Sequence, residues 1–131
     1  MRAGDVFHLK DNFGGHFFVV ISDPQQLSDF RFPEYVFLVM LSSSEDYKED
    51  VCVLKTGDTS FITHDTVIVY KIPPAMFVPL SVLRKLQDKG TLTARQAVSD
   101  DILRKAREGY SKSRYQRDDV FQFLYRQKVV E

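Results

Sequence analysis

The chain has 131 residues, enough for one domain with a single hydrophobic core, and its 18 basic and 18 acidic residues cancel. Its one cysteine, Cys52, excludes an intramolecular disulfide and is expected to be a buried structural thiol. No apolar run approaches the length of a membrane span, and the N-terminus lacks the apolar core of a signal peptide. The sequence therefore predicts a soluble, cytoplasmic protein with no membrane partner.

The first 78 residues contain short β-type segments separated by turn residues. Five strands are predicted, at about 5–10, 16–22, 35–41, 51–55 and 66–72. The second and third are almost wholly apolar, which indicates burial on both faces. Short strands at this spacing favour a small barrel or sandwich. We expect a mainly β (α+β) fold, with a five-to-six-stranded SH3-like barrel over residues 1–78.

From Pro79 onward the apolar spacing becomes helical. Ser81 can cap a first helix that ends before Gly90, and Thr93 can cap a short second helical turn. Ser99, followed by two aspartates, can begin a further helix that ends at Gly109. Residues 110–117 form a polar loop, and 118–127 a last amphipathic segment. We expect residues 79–131 to be a helical extension packed on the barrel, within a single domain 1–131.

The glycine pair Gly14-Gly15 precedes His16 at the start of the second strand. Glycine permits a tight hairpin because it tolerates positive φ. His16 is therefore predicted at the mouth of a hairpin, where it can give or take a proton near neutral pH. The structural alternative is an imidazole that only hydrogen-bonds a neighbouring carbonyl.

Two further segments carry polar groups at predicted strand ends. Ser42 and Ser43 end the third strand, where hydroxyls can bind a phosphate or simply stop the strand. The turn 55–65 contains Asp58, Thr59 and His64. His64 with a nearby aspartate can form an acid–base pair, although turn and capping roles explain the aspartates and Thr59 equally well.

The charge is unevenly distributed between the two parts of the chain. Residues 1–83 carry six basic and eleven acidic side chains, whereas residues 84–131 carry twelve and seven. The segment 104–117 alternates cations, including Lys112 and Arg114, with tyrosines, a mixture that suits single-stranded nucleic acid. A solvated helix face with a basic loop is the alternative. The sequence has no metal-ligand spacing, phosphate-binding glycine loop or dinucleotide fingerprint, so no metal or cofactor is predicted.

Several short motifs resemble the PemK/MazF group over roughly residues 2–90. They are Gly4-Asp5-Val6-Phe7, the glycine pair before Val19-Val20-Ile21-Ser22, the strand end Leu41-Ser42-Ser43, and a late apolar strand followed by a leucine-rich helix. A divergent branch of the group is most similar. In that branch a histidine opens the second strand, here His16, and a turn of the type Gly57-Asp58-Thr59-Ser60-Phe61-Ile62 precedes the fifth.

The resemblance implies an SH3-like barrel and a toxin of a toxin–antitoxin pair. Many members are dimeric, metal-independent endoribonucleases that use the RNA 2′-hydroxyl as nucleophile, with an acid–base pair and a cation at the scissile phosphate. This chain departs from the group because His16 stands where an arginine usually follows the glycine pair. In the fifth strand the charged residues of some members are matched only by the nearby Tyr70 and Lys71.

The sequence hypothesis is therefore an endoribonuclease or RNA-binding protein acting on single-stranded RNA. His16 would be general base or acid, with His64 or Lys71 in the second role. Substrate contacts would come from Ser42, Ser43, Asp58, Thr59, Lys112 and Arg114. An antitoxin and a second copy of the chain are the expected protein partners.

Two other hypotheses keep the same barrel. In one, a non-catalytic module binds nucleic acid or protein through segment 104–117. In the other, the terminal amphipathic segment docks a partner through Phe121, Leu124 and Tyr125.

Overall fold

The computed structural model describes residues 1–10, 15–27, 33–43 and 49–126, with backbone alone for Tyr125 and Arg126. Strands and helices alternate irregularly along these residues. The strands are β1 (Val6–Leu9), β2 (His16–Val20), β3 (Tyr35–Ser43), β4 (Val53–Leu54), β5 (Thr66–Val69), β6 (Met76–Pro79) and β7 (Leu92–Arg95). The helices are α1 (Leu80–Asp88), α2 (Asp100–Lys112) and α3 (Asp118–Arg126).

All described strand pairs are antiparallel, and the nine-residue strand β3 is the centre of the sheet. The order across the sheet is β4-β5-β3-β2-β1-β7. On one side β3 pairs with β2, and on the other its second half pairs with β5 and its first half with β6. The turn residues between β1 and β2 lie partly outside the described residues.

The two faces of the sheet are both buried. Phe37, Val39 and Leu41 of β3 pack in a core with residues of α2 and α3. The alternate residues of β3 pack in a second core that includes Leu83 of α1. Because side chains of a strand alternate between faces, a strand covered on both sides is apolar throughout. This confirms the prediction from the apolar second and third strands.

The mainly β class with additional helices is confirmed, but a closed barrel is not what the described strands form. β4 and β7 lie at opposite edges of the sheet, and no pairing joins them within the described residues. The apolar character of β2 and β3 is explained by helices that pack on both faces of one open sheet.

The segment 79–131 is not purely helical. Residues 92–95, predicted as a helical turn capped by Thr93, form β7 and pair with β1. The first helix begins at Leu80 with Pro79 at its N-cap, so Ser81 is not the cap. The position of Ser99 as N-cap is confirmed, since its hydroxyl accepts the Ile102 N–H at 3.3 Å.

Helix α2 continues past Gly109, where the sequence suggested an end, to Lys112. Gly109 faces the sheet, where an added Cβ would lie 2.9 Å from the Cβ of Cys52 and would overlap the Tyr70 hydroxyl. Tyr70 donates a hydrogen bond of 2.5 Å to the Ala106 carbonyl. Glycine is present here because backbone and tyrosine approach closely, and not because the helix stops.

The terminal amphipathic segment packs on the protein itself. Val120, Phe123 and Leu124 of α3 are fully buried in the core that contains Phe37. The apolar face that suggested a docking partner is therefore occupied by the chain's own sheet, although the side chain of Tyr125 lies outside the described residues.

Because Tyr70 is buried, we expect the free energy of unfolding to decrease at alkaline pH. Desolvation raises the pKa of Tyr70 well above its ordinary range, with the neighbouring Cys52 adding to the effect. The unfolded chain therefore loses a proton above about pH 10 that the folded chain retains, so stability falls as the pH rises through that value. Tyr70→Phe is expected to cost about 1 kcal/mol at neutral pH but to make this alkaline decline shallower.

Urea unfolding followed by far-ultraviolet circular dichroism near pH 8 and above pH 10 measures this slope. The control is Tyr115→Phe, since Tyr115 is only half-buried and lies outside both cores. An alkaline decline unchanged in Tyr70→Phe would contradict the prediction.

Candidate functional site

Three chain segments meet at one end of the sheet, here called the polar end: the start of β2, the end of β3 and the start of β5. The β2–β3 register pairs Phe17 with Leu41, so its next step places His16 opposite Ser42. On the other side of β3, Ser43 pairs directly with Thr66. The antiparallel register therefore brings His16 and both serines together, as the sequence analysis expected.

The loop that carries His64 returns to this same end. The Thr66 hydroxyl donates to the His64 carbonyl oxygen at 3.0 Å. Asp65 forms an ion pair of 2.7 Å with Lys55, which closes the two ends of the loop onto each other. The His64 side chain is exposed, with its Nδ1 3.5 Å from the Thr63 hydroxyl. His64 thus stands at the polar end, beside the strand that pairs with Ser43.

The two imidazoles do not touch through the sheet. They belong to segments on either side of β3, about 10 Å apart at two strand spacings. His16 shares a sheet face with Ser42, whereas Ser43 and Thr66 share the opposite one. A group that contacts both histidines must pass over the end of β3, where the two serines lie.

The loop between β4 and β5 is fixed to the sheet by apolar packing. The Phe61 ring stacks on Phe17 with ring centres 4.5 Å apart, and Phe17 meets His8 edge-on at 5.0 Å. Ile62 is buried in the core. These contacts hold the polar groups of the loop in one position relative to the sheet.

Two lysines at the polar end were missed by sequence reasoning. Lys10 follows β1, and the β1–β2 register places it opposite Gly15, beside His16. Lys55 follows β4 and is paired with Asp65. The sequence contains the information needed to place them. Once the strands are taken as antiparallel, the ends of β1 and β4 and the start of β2 lie at the same end of the sheet.

Other predicted site residues lie elsewhere. Lys71 is exposed beyond the far end of β5, about 16 Å along the strand from Thr66. Lys112 and Arg114 lie at and just after the end of α2, where the Arg114 N–H donates to the Glu49 carboxylate at 2.9 Å. The Arg114 guanidinium lies 5.1 Å over the Tyr115 ring. The structure therefore does not bring Lys71, Lys112 or Arg114 to His16.

Most cations of segment 104–117 have contacts within the protein. Arg104 and Arg117 form ion pairs of 2.6 Å with aspartates on or beside their helices. Lys105 donates to the Val53 carbonyl at 2.7 Å, and Arg107 to the Ile21 carbonyl at 3.0 Å. Burial lowers the pKa of Arg107, as expected for a guanidinium used inside the structure. Lys105 and Arg107 thus link α2 to main-chain carbonyls at the sheet, whereas the ion pairs of Arg104 and Arg117 are local and exposed.

Asp58 and Thr59 line a separate cleft of about 580 Å³. One wall is formed by the loop residues 56–60 with 62 and 63, and the other by residues 96–99 before α2. The Asp58 carboxylate accepts the Lys55 N–H at 2.7 Å. The Thr59 hydroxyl oxygen is closed off from solvent and has no hydrogen-bond partner in the part of the chain that the structure describes. Asp58 and Thr59 therefore line a cleft, and the loop that carries them also carries His64.

No protein-family model, curated protein or solved structure matches this chain. In the part of the chain that the structure describes, no helix has both the length and the apolar character needed to cross a membrane. The polar end and the cleft are therefore the two features of the molecule from which a function can be inferred.

Proposed function

We propose that the protein cleaves single-stranded RNA as a metal-independent endoribonuclease of the PemK/MazF type, acting at the polar end of its sheet. The observation that carries the proposal is the arrangement of His16, Ser42, Ser43 and His64 at that end. Histidine is the side chain suited to both giving and taking protons near neutral pH. Acid–base cleavage of a phosphodiester needs one group that accepts a proton and one that donates a proton, and the two exposed imidazoles can fill these roles.

The reaction proposed is an in-line transfer within the RNA. His16 takes the proton of a ribose 2′-hydroxyl, whose oxygen attacks the adjacent phosphorus. The bond from phosphorus to the 5′-oxygen of the next nucleotide breaks, and His64 donates a proton to that oxygen. The products are a 2′,3′-cyclic phosphate and a 5′-hydroxyl. The protons also balance if His64 is the base and His16 is the acid.

The remaining groups of the polar end would bind and stabilise the phosphate. Ser42 and Ser43 supply hydroxyls on the two faces of β3, between the segments that carry the histidines, and Lys10 lies opposite Gly15 on the neighbouring strand, one backbone position from His16 in the register. A cation here would offset the negative charge that develops on the phosphate oxygens. Lys10 would thus take the role that the group's usual arginine after the glycine pair performs.

Kinship with the PemK/MazF group is part of the same proposal. On this view the open sheet derives from an SH3-like barrel, and the protein is a cytoplasmic toxin whose partners are a second copy and an antitoxin. A non-catalytic module binding through segment 104–117 is less well supported, because most of its cations are engaged within the protein.

The test is cleavage of single-stranded RNA by the purified protein in the presence of EDTA. His16→Ala and His64→Ala are each expected to lower the rate roughly 100-fold or more, the usual contribution of a general acid or base. Lys71→Ala, at the other end of β5, is expected to cleave like the parent. The products should carry cyclic phosphate and 5′-hydroxyl ends.

Equal cleavage by the parent and by both histidine variants would remove the polar end from the mechanism. Salt-dependent retention of RNA by the parent without any cleavage would replace the enzyme with a binding protein, because phosphate contacts release counterions.

A further inference from the structure

The cleft between residues 56–63 and 96–99 has the size and lining of a ligand site that the cleavage chemistry does not use. Its volume of about 580 Å³ lies within the range of small-molecule pockets, roughly 300–1,000 Å³. Its walls come from two segments far apart in sequence. Ile62 and Val98 provide apolar surface, while hydroxyl, amide and carboxylate groups provide the polar part.

The charges in the cleft favour a ligand that donates hydrogen bonds. The described residues that line it include no lysine, arginine or histidine. Among the described lining residues, the one acidic side chain is that of Asp58. A carboxylate accepts but does not donate, and two parallel donors on a flat group match its two oxygens best.

We propose that this cleft binds an unpaired guanine base of the RNA, with Asp58 accepting from the guanine N1–H and 2-amino group. The inference rests on the proposed RNA cleavage and adds its base preference. Among the four bases, guanine alone presents two adjacent donors on its Watson–Crick edge, whereas adenine and cytosine present an amino group beside an acceptor. Uracil offers a single N–H.

Asp58 is held in place for this task. Its Oδ2 accepts the Lys55 N–H at 2.7 Å, and its own N–H donates to the Lys55 carbonyl at 3.0 Å. These contacts fix the carboxylate within a turn, and each carboxylate oxygen retains a further lone pair. The side chain is half-buried, so a base that contacts it is partly removed from water.

Thr59 gives the second observation. Its hydroxyl oxygen is buried and has no hydrogen-bond partner among the described residues, whereas buried polar groups are normally hydrogen-bonded. In the proposed complex Thr59 changes its χ1 rotamer, so that its hydroxyl pairs with the guanine O6 or the ribose. A buried hydroxyl without a hydrogen bond lowers the stability of the free protein, and a bound ligand that pairs with it would remove this cost.

The position of the cleft fits a substrate that continues to the polar end. The loop that forms one wall runs directly to His64, and Phe61 in its middle stacks on Phe17, the neighbour of His16. A base seated in the cleft would leave its phosphate to extend along the loop toward the histidines. The cleft would thus choose the nucleotide beside the bond that is cut.

The experiment is a titration of the ¹⁵N-labelled protein with guanosine, inosine and adenosine, followed by amide chemical shifts. Guanosine is expected to shift the amides of residues 56–60 and 96–99. Inosine keeps N1–H but lacks the 2-amino group, and should bind roughly tenfold more weakly. Asp58→Asn should weaken guanosine binding by a similar factor, because the amide oxygen still serves Lys55 but one acceptor is lost. The matched control is Asp88→Asn, an exposed change on α1.

Thr59→Val separates binding from folding. It removes the unmet hydroxyl at nearly constant volume, so we expect the melting temperature to rise or stay equal while guanosine binding weakens. Equal binding of the three nucleosides, or full guanosine affinity in Asp58→Asn, would overturn the inference. RNA cleavage by the parent with no nucleoside bound in the cleft would overturn it while leaving the proposed function intact. Guanosine binding without cleavage would support the cleft and reject the enzyme.

Discussion

Gly109→Ala is expected to lower the free energy of unfolding by about 2 kcal/mol, although alanine is the better helix former. The added methyl would overlap the Tyr70 hydroxyl and lie 2.9 Å from the Cys52 Cβ. Neither atom is the free end of a flexible chain, because Tyr70 and Cys52 are both buried in the core. To accommodate the methyl, α2 must move away from the sheet, which loosens the packing of Ala106 and Tyr110 as well.

Urea unfolding monitored by far-ultraviolet circular dichroism measures this loss in a protein that has no tryptophan. The control on the same helix is Glu108→Ala, an exposed change that affects propensity alone. Adding Tyr70→Phe should recover part of the loss in Gly109→Ala, since it removes the atom that the methyl overlaps. Additive effects of the two substitutions would show that the overlap is not the cause.

Gly15→Ala is the second change expected to be severe, costing about 3 kcal/mol. Gly15 has a φ of +93°, a conformation that other residues rarely adopt. Its Cβ would also overlap the Leu9 carbonyl oxygen and lie 2.7 Å from the His8 ring. The Leu9 carbonyl belongs to the neighbouring strand and cannot rotate away, so the β1–β2 hairpin must shift at the residue that precedes His16.

Gly57→Ala is the matched control, since Gly57 has a φ of +97° but nothing lies within 4 Å of its added Cβ. It should show the conformational cost alone, about 1 kcal/mol. The difference between the two variants in urea unfolding isolates the steric overlap in the hairpin. Equal losses would mean that backbone conformation alone makes glycine necessary at position 15.

The same two glycines show where sequence reasoning succeeded and where it failed. Gly15 was interpreted correctly as a conformational requirement, because a glycine pair before an apolar strand has a local cause. Gly109 was taken as a helix end, yet α2 continues through it. Its reason is the side chain of Tyr70, nearly forty positions away in the chain, and no local pattern contains that information.

The candidate site divides in the same way. His16, Ser42 and His64 were identified from their places at strand ends, and antiparallel register brings strand ends together without further information. Lys71 was predicted within the fifth strand and assigned through the family resemblance, but it lies beyond the end of β5 that is farthest from the polar end. The basic segment 104–117 looked like a nucleic-acid surface, and only the folded chain shows Lys105 and Arg107 bonded to carbonyls of the sheet.

The sequence by itself determined the mainly β class, the burial of β2 and β3 on both faces, the N-cap at Ser99 and the amphipathic α3, because each follows from side-chain spacing over a few residues. Only the tertiary structure decided that the sheet is open, that residues 92–95 pair with β1, and which cations are engaged. Those outcomes depend on contacts between segments that are distant in the chain. Such contacts can override local preferences, and they produce no periodic pattern of residues that could be recognised in the sequence.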